Sequence, residues 1–234
     1  MNQTDTQIYQ QEIEFPKIFS NVMAKVYMYM FLGLLVTGIT SFYVSTSEWL
    51  LTAIFTNIYI FYGLIIAELL LVVILSAAIR KMSFAAALFS FFLYAFINGL
   101  TLSVVFLVYA ASSVFSVFFV SCAVFGSMSL IGYTTKKDLT KLGSLCMMGL
   151  LGIIIAGIVN IFIQNDSFSF IVTVVGLLIF IGLTAYNTQK IKTNLMTLSD
   201  PELIKKASVM GALSLYLDFI NIFLRLLRIL GKRK

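Results

Sequence analysis

Long windows without a charged residue constrain this chain more than any other feature of its sequence. The windows hold 22, 19, 54, 24 and 23 uncharged residues and cover 26–47, 49–67, 82–135, 142–165 and 167–189. About 20 apolar residues are enough for one α-helix to cross a hydrocarbon core about 30 Å thick. The window 82–135 is too long for one helix, and Ser112 and Ser113 divide it into two. The chain is therefore predicted to cross a membrane several times.

A further apolar stretch, interrupted by Asp218, Arg225 and Arg228, follows near the C-terminus. We predict an all-α fold class: a polytopic integral membrane protein with a seven-helix transmembrane bundle. Each span must be helical because a segment in lipid has to satisfy its own backbone hydrogen bonds. The predicted spans are 20–43, 55–79, 83–109, 114–133, 143–163, 168–188 and 208–230. The transmembrane domain is thus 20–230, between a polar N-terminal tail, 1–19, and a basic C-terminal tail, 231–234.

The composition excludes several classes of protein. Hydrophobic residues make up 60% of the chain and charged residues 11%, whereas a soluble domain has about a quarter charged residues. Histidine is absent, which excludes His-ligated metal sites and Ser/His or Cys/His catalytic couples. Cys122 and Cys146 lie in apolar windows and form no CxxC motif, so we interpret them as packing residues. We expect no enzymatic activity and no cofactor.

The basic residues predict the orientation of the chain. Eleven of them lie at connections on one side, and none lies near 44–54, 110–113 or 164–167. Because basic connections mark the cytoplasmic side, we predict a cytoplasmic N-terminus and assign the net charge of +6 to the membrane, with no nucleic-acid partner. Five more basic residues lie between Arg225 and Lys234. They favour a cytoplasmic C-terminus, whereas the length of 208–230 favours a full crossing, and the sequence leaves both arrangements open.

Two carboxylates lie inside predicted spans. Glu68 is 12 residues from Arg80, or about 18 Å along a helix, and Asp218 lies at a comparable depth. A charged side chain at the centre of a bilayer costs at least ~2.5 kcal/mol, so such groups face the bundle interior or a watered cavity. They either bind ions or protons, or hold helices together through hydrogen bonds. The sequence favours an ion or proton role for Asp218 and leaves Glu68 undecided.

A polar stripe surrounds Asp218 on the last span. Ser214, Asp218, Asn221 and Arg225 follow one another at spacings of four, three and four, which places them on one face of a helix. An otherwise apolar helix should turn this stripe inward, so we predict that the last helix is central. Arg225 either helps to neutralise Asp218 or extends towards the interface.

Two segments resemble the Bax inhibitor family, in its bacterial YccA-like branch. They are LTAYNTQKIK, 183–192, and ALSLYLDFINIFLRLL, 212–227. Without this resemblance, Thr184, Asn187 and the polar residues after them would indicate the end of a helix. The short polar N-terminus and the seven spans also fit the family. The resemblance implies a bundle with a central last helix, in a bacterial cytoplasmic membrane.

The resemblance also implies a function, which is a passive, pH-sensitive leak of calcium. In the family, an aspartate of the sixth helix and one of the seventh share a proton and control closure. Asp218 matches the second of these, and Asn187 stands where the first is expected. Arg80 matches, by position, an arginine that latches the family's channel. Asp218 is then the residue that would contact calcium transiently.

Asn187 departs from the family pattern in a way that has a physical consequence. Two carboxylates held close together cannot both be charged cheaply, and the pair becomes a proton switch. Asparagine cannot ionise, but it can donate a hydrogen bond to Asp218. We therefore expect a retained cation route with shifted or weakened pH gating.

Other functions remain open from the sequence. The first alternative is a regulator without flux of its own, which binds a membrane-bound AAA protease through the polar tail 1–15, as YccA-like relatives are understood to do. An intramembrane aspartyl protease is disfavoured because the chain contains no GxGD motif. A secondary transporter is disfavoured because we find no inverted repeat.

Overall fold

The computed structural model describes residues 3–79, 81–198 and 200–234, with side chains described from Asn21 onward. These residues form nine helical segments: α1 (Gln3–Thr46), α2 (Glu48–Phe55), α3 (Ile58–Ala78), α4 (Phe84–Leu102), α5 (Val104–Val108), α6 (Ala111–Thr134), α7 (Thr140–Ile163), α8 (Asp166–Met196) and α9 (Pro201–Leu230). Within this part of the chain, seven helices are long and apolar enough to cross a membrane, counting α4 and α5 as one span. The predicted all-α, seven-helix fold class is confirmed.

Two details differ from the predicted spans. A short helix, α2, occupies most of the connection that was predicted after the first span. The third span is interrupted at Ser103, whose hydroxyl donates a hydrogen bond of 2.6 Å to the Leu100 carbonyl. This local bond competes with the regular helical pattern, and α5 continues the span for one more turn.

The polar residues that indicated the end of the sixth span lie inside α8, which continues to Met196. The prediction of a helix end at 188 was wrong because these side chains bond within α8 or to neighbouring elements instead of ending their own helix: Thr184 and Thr188 donate to carbonyl groups one turn earlier, and Gln189 bonds to the α6–α7 connection. Gln189 Oε1 accepts a hydrogen bond of 2.8 Å from Leu139 N, and Gln189 Nε2 donates one of 2.8 Å to the Lys137 carbonyl. The last helix begins earlier than predicted, with Asp200 as its N-cap and Pro201 in its first turn.

The last helix, α9, is the centre of the bundle. It contacts α1, α4, α6 and α8, and 67% of its most apolar window is buried, against 6% for the peripheral α3. Leu215, Tyr216 and Ile222 are completely buried. The predicted central position is therefore confirmed: the helix that carries the polar stripe is also the most buried of the spanning helices.

Small residues let the surrounding helices approach one another. A Cβ atom added at Gly132 of α6 would collide with the Ala185 carbonyl of α8, so these two backbones touch. Close backbone approach at glycine is a common way to join helices in membranes, where lipid tails remove the usual hydrophobic driving force.

The connections define two ends of the bundle. The basic end consists of the described residues of the connections 79–83, 135–139 and 197–200, and the opposite end consists of 56–57, 109–110 and 164–165. The C-terminal residues lie at the opposite end: Ala110 N donates to the Lys232 carbonyl at 3.0 Å, and Lys234 N donates to the Val108 carbonyl at 3.0 Å. Tyr109 and Arg233 form an antiparallel bridge there. Of the two arrangements left open by the sequence, α9 therefore adopts the full crossing.

Candidate ion-pathway site

The centre of the candidate site is a hydrogen bond between α8 and α9. Asn187 Nδ2 donates to Asp218 Oδ2 at 2.8 Å. Asp218 is 4% exposed, and Asn187 is the one hydrogen-bond donor that the described residues supply to its carboxylate. The structure thus brings together the pair predicted from the sequence.

A cavity of about 680 Å³ extends from the basic end towards this pair. Residues of α8, the first half of α9 and Ile79 after α3 form its walls. Asn187 and Ser214 line it, and Ser214 lies one helical turn before Asp218. Asn187 therefore faces the cavity and also contacts the buried carboxylate.

The mouth of this cavity is positively charged. Lys190 and Lys206 line it from α8 and α9, respectively. Lys206 forms a salt bridge of 2.9 Å with Glu202, one turn earlier in the same helix. Glu202 offsets the charge of Lys206, so the positive charge of the rim comes mainly from Lys190.

The rest of the predicted polar stripe does not form a connected network. Asn221 Nδ2 donates to the Leu217 carbonyl of its own helix at 2.9 Å. Arg225 extends away from Asp218, towards the opposite end, where its Nη1 donates to the Val172 carbonyl at 3.5 Å. Among the described residues the salt bridge found is Lys206–Glu202, so Arg225 does not neutralise Asp218.

Glu68 belongs to a second cluster. Its carboxylate accepts hydrogen bonds of 2.7 Å from Thr101 Oγ1 and 3.3 Å from Asn98 Nδ2. The Tyr216 hydroxyl donates to Asn98 Oδ1 at 3.0 Å and lies 2.6 Å from Thr37 Oγ1. Glu68 is thus linked through α4 to α9 and α1, and we call these five residues the Glu68 cluster.

The two carboxylates lie on different sides of α9. Tyr216, which belongs to the Glu68 cluster, precedes Asp218 by two residues. Because a helix turns about 100° per residue, the two side chains point in directions about 200° apart around α9. The structure therefore does not bring Glu68 and Asp218 into one site. Asn98 and Tyr216 were not predicted from the sequence; the available signal was an amide inside an apolar window, because a buried amide in lipid needs a partner.

A third set of hydroxyl groups holds α8 from its other side. Thr188 Oγ1 lies 3.1 Å from Ser129 Oγ of α6, which in turn lies 2.7 Å from the Tyr27 hydroxyl of α1. Thr188 directly follows Asn187, so these contacts fix the part of α8 that presents Asn187 to Asp218. Sequence reasoning could not find Ser129 or Tyr27, since serine and tyrosine are common in spans.

Arg80 and the calcium contact at Asp218 are the remaining predicted features of the site. Arg80 lies outside the described residues, so its role as a latch stays a prediction. Within the described residues, no three acidic or cysteine side chains come together as a metal site. An ion at Asp218 would therefore have a single protein carboxylate as ligand, which suits transient contact better than tight binding.

These features define a class: a membrane protein of seven spanning helices whose central last helix carries a buried carboxylate. The family model described as inhibitor of apoptosis-promoting Bax1 matches residues 19–234. The chain belongs to the Bax inhibitor family, as the resemblance of its last two helices predicted.

Bacterial relatives cover almost the whole chain. The inner membrane protein YbhL of Escherichia coli K12 is 46% identical over 214 residues, which are 91% of this chain and 92% of that protein. A protein of Rickettsia prowazekii is 41% identical over 91% of this chain and 89% of its own length. A protein of Borreliella burgdorferi is 40% identical over 93% of this chain and 94% of its own length. The chain is an integral membrane protein, similar to one named for the inner membrane.

Proposed function

We propose that the protein is a passive, low-flux pathway for cations, calcium among them, along the contact between α8 and α9, which we call the α8–α9 seam. The observation that supports this most is a buried carboxylate at the base of an open cavity, closed by one hydrogen bond from Asn187. The cavity supplies the half of the route at the basic end, and the Asn187–Asp218 contact is its closure. Positive-inside orientation would place this half on the cytoplasmic side.

The chemistry of the seam favours a hard cation as the transported species. Asp218, Asn187 and Ser214 offer oxygen atoms, the ligands that calcium prefers. Lys190 and Lys206 at the mouth oppose rapid entry of cations, which fits a slow leak rather than a high-conductance channel. The separation of Glu68 from Asp218 argues against a pair of catalytic aspartyl-type acids, so we propose that the protein is not an enzyme.

The Asn187–Asp218 pair also suggests how gating would differ from that of a pair of aspartates. One carboxyl group can bind one proton, but no second negative charge opposes its ionisation across the seam. We propose that the closing contact persists over a wide pH range, because the Asn187 amide can donate to Asp218 without changing its own charge.

The experiment is a calcium-flux assay on purified protein in liposomes, with an internal pH series. We expect the wild type to conduct with a weak pH dependence and Asp218→Ala to change the flux. Asn187→Asp should restore a second carboxylate and steepen the pH dependence. Equal pH profiles for wild type and Asn187→Asp would contradict the gating proposal.

The same assay addresses the regulatory alternative. If neither the wild type nor Asp218→Ala conducts, the pathway proposal fails and a partner-binding role gains weight. Deleting residues 1–15 then provides the matched test: a pathway should conduct unchanged, whereas regulation of a membrane-bound protease through this tail should be lost.

A further inference from the structure

Arg225 occupies an unusual position in the half of the seam towards the opposite end. Its guanidinium group lies 5.1 Å from the centre of the Phe180 ring, and its Nη1 donates a long hydrogen bond of 3.5 Å to the Val172 carbonyl. Its Nε is buried and has no hydrogen-bond partner. A buried donor without a partner is costly, so this side chain is held mainly by packing against α8, with one long hydrogen bond.

Gly176 of α8 makes room for the guanidinium group. A Cβ atom added there would collide with Nη1 and Cζ of Arg225. The charged group therefore lies flat against the backbone of α8, in a space that a larger residue at Gly176 would fill. Phe180, one turn further along α8, covers it from the side of Asp218.

The described residues provide no counter-ion for Arg225, because no carboxylate among them forms a salt bridge with it. Its neighbour one turn further along α9 is Arg228, which is itself positive and donates a hydrogen bond to Ser169 Oγ. In an environment of low dielectric constant, an unpaired charge acts on passing ions more strongly than it would in water.

The position of this charge relates it to the proposed route. Asp218 and Arg225 are seven residues apart on the same face of α9, about 10 Å along the helix, and both contact α8. A cation that leaves Asp218 towards the opposite end therefore meets the guanidinium group next. We propose that Arg225 is a fixed positive barrier that closes this half of the α8–α9 seam to cations and keeps the leak small. This inference rests on the proposed cation pathway.

An electrostatic barrier makes a prediction that a structural role does not. The repulsion energy is proportional to the charge of the ion, so it opposes calcium twice as strongly as potassium. Removing the charge should multiply the calcium flux by the square of the factor for potassium. A loosened bundle would raise both fluxes by similar factors.

The experiment compares potassium and calcium fluxes in liposomes for wild type, Arg225→Gln and Arg225→Lys. If Arg225→Gln raises the potassium flux about threefold, it should raise the calcium flux by the square of this factor, about tenfold. Arg225→Lys keeps the charge and should stay near the wild type. Arg228→Gln is the matched control: this residue is more exposed than Arg225, exposed charges are screened more than buried ones, and both fluxes should change less than about twofold. Arg225→Met replaces Arg225→Gln if the latter does not fold.

The outcomes separate the barrier from the pathway itself. An Asp218-dependent wild-type flux that Arg225→Gln leaves unchanged, or raises equally for both ions, overturns the barrier and leaves the pathway standing. Absence of flux in the wild type, in Arg225→Gln and in Arg225→Met overturns the barrier and the pathway together. A wild-type flux that depends on Asp218, and that rises more for calcium than for potassium when the charge is removed, supports both.

Discussion

Replacing Tyr216 by Phe tests how firmly α9 is held to α1 and α4. The substitution removes one hydroxyl group and keeps the ring, which is completely buried and packs edge-on against Phe91 and Tyr94 at centroid distances of 5.8 and 5.7 Å. The loss of stability should therefore come from hydrogen bonds alone. Tyr94→Phe is the matched control, since no hydrogen bond of the Tyr94 hydroxyl occurs among the described residues.

The magnitude follows from the partners that remain. Thr37 keeps the carbonyl groups of Gly33 and Ala95 as acceptors, at 3.0 and 2.8 Å. Asn98 Oδ1 loses the donor at 3.0 Å. An acceptor left unsatisfied in a protein interior costs about 1–3 kcal/mol. Hydrogen bonds between membrane helices, measured by double-mutant cycles, contribute ~0.6 kcal/mol on average and ~1.7 kcal/mol at most. The membrane value is the closer reference, so we expect a loss of about 0.6–1.7 kcal/mol.

The assay is reversible unfolding in mixed micelles, with a double-mutant cycle between Tyr216→Phe and Asn98→Ala. The free energy of unfolding should fall for Tyr216→Phe and stay near the wild-type value for Tyr94→Phe, because the second substitution removes no hydrogen bond. A coupling near 1 kcal/mol is expected for the pair. Equal effects of the two Tyr→Phe substitutions, or a coupling of zero, would refute the claim that the Glu68 cluster anchors α9.

Two further predictions concern helix packing and the C-terminus. Gly132→Ala should destabilise the protein by about 1–3 kcal/mol, because the added Cβ collides with backbone that cannot rotate away. Gly126→Ala of the same helix is the control: its Cβ meets nothing within 4 Å, and the substitution should not destabilise the protein. Similar free energies of unfolding for the two variants would contradict the close α6–α8 contact. Deleting 231–234 should increase the rate of hydrogen exchange at the Ala110 amide, because this amide loses its acceptor, the Lys232 carbonyl. Exchange in the rest of the bundle should not change. An unaltered rate at Ala110 would show that the tail does not hold this connection.

The spans and the central helix could be predicted because both depend on the cost of charge in lipid. Charge-free windows outline the helices, and a polar stripe on an apolar helix has to turn inward. The partners of Glu68 could not be predicted, because they are uncharged side chains on another helix. One sequence does not show which faces of two helices meet.

The side of the C-terminus was undecided for a different reason. Charge counting describes how a chain is inserted, mainly from the earlier spans, whereas the structure depends on packing as well. Hydrogen bonds from Ala110 N and Lys234 N join the basic tail to the α5–α6 connection at the opposite end. Packing of α9 in the centre thus outweighs five basic residues.

The contacts around α9 are unequal, and this inequality bears on how the seam could open. On one side, Tyr216 bonds to both Asn98 and Thr37, which are themselves bonded to further groups. On the other, the carboxylate of Asp218 receives one hydrogen bond, from Asn187. One membrane hydrogen bond contributes about 0.6 kcal/mol, close to thermal energy, so the Asn187–Asp218 hydrogen bond is the weaker of these two polar contacts of α9.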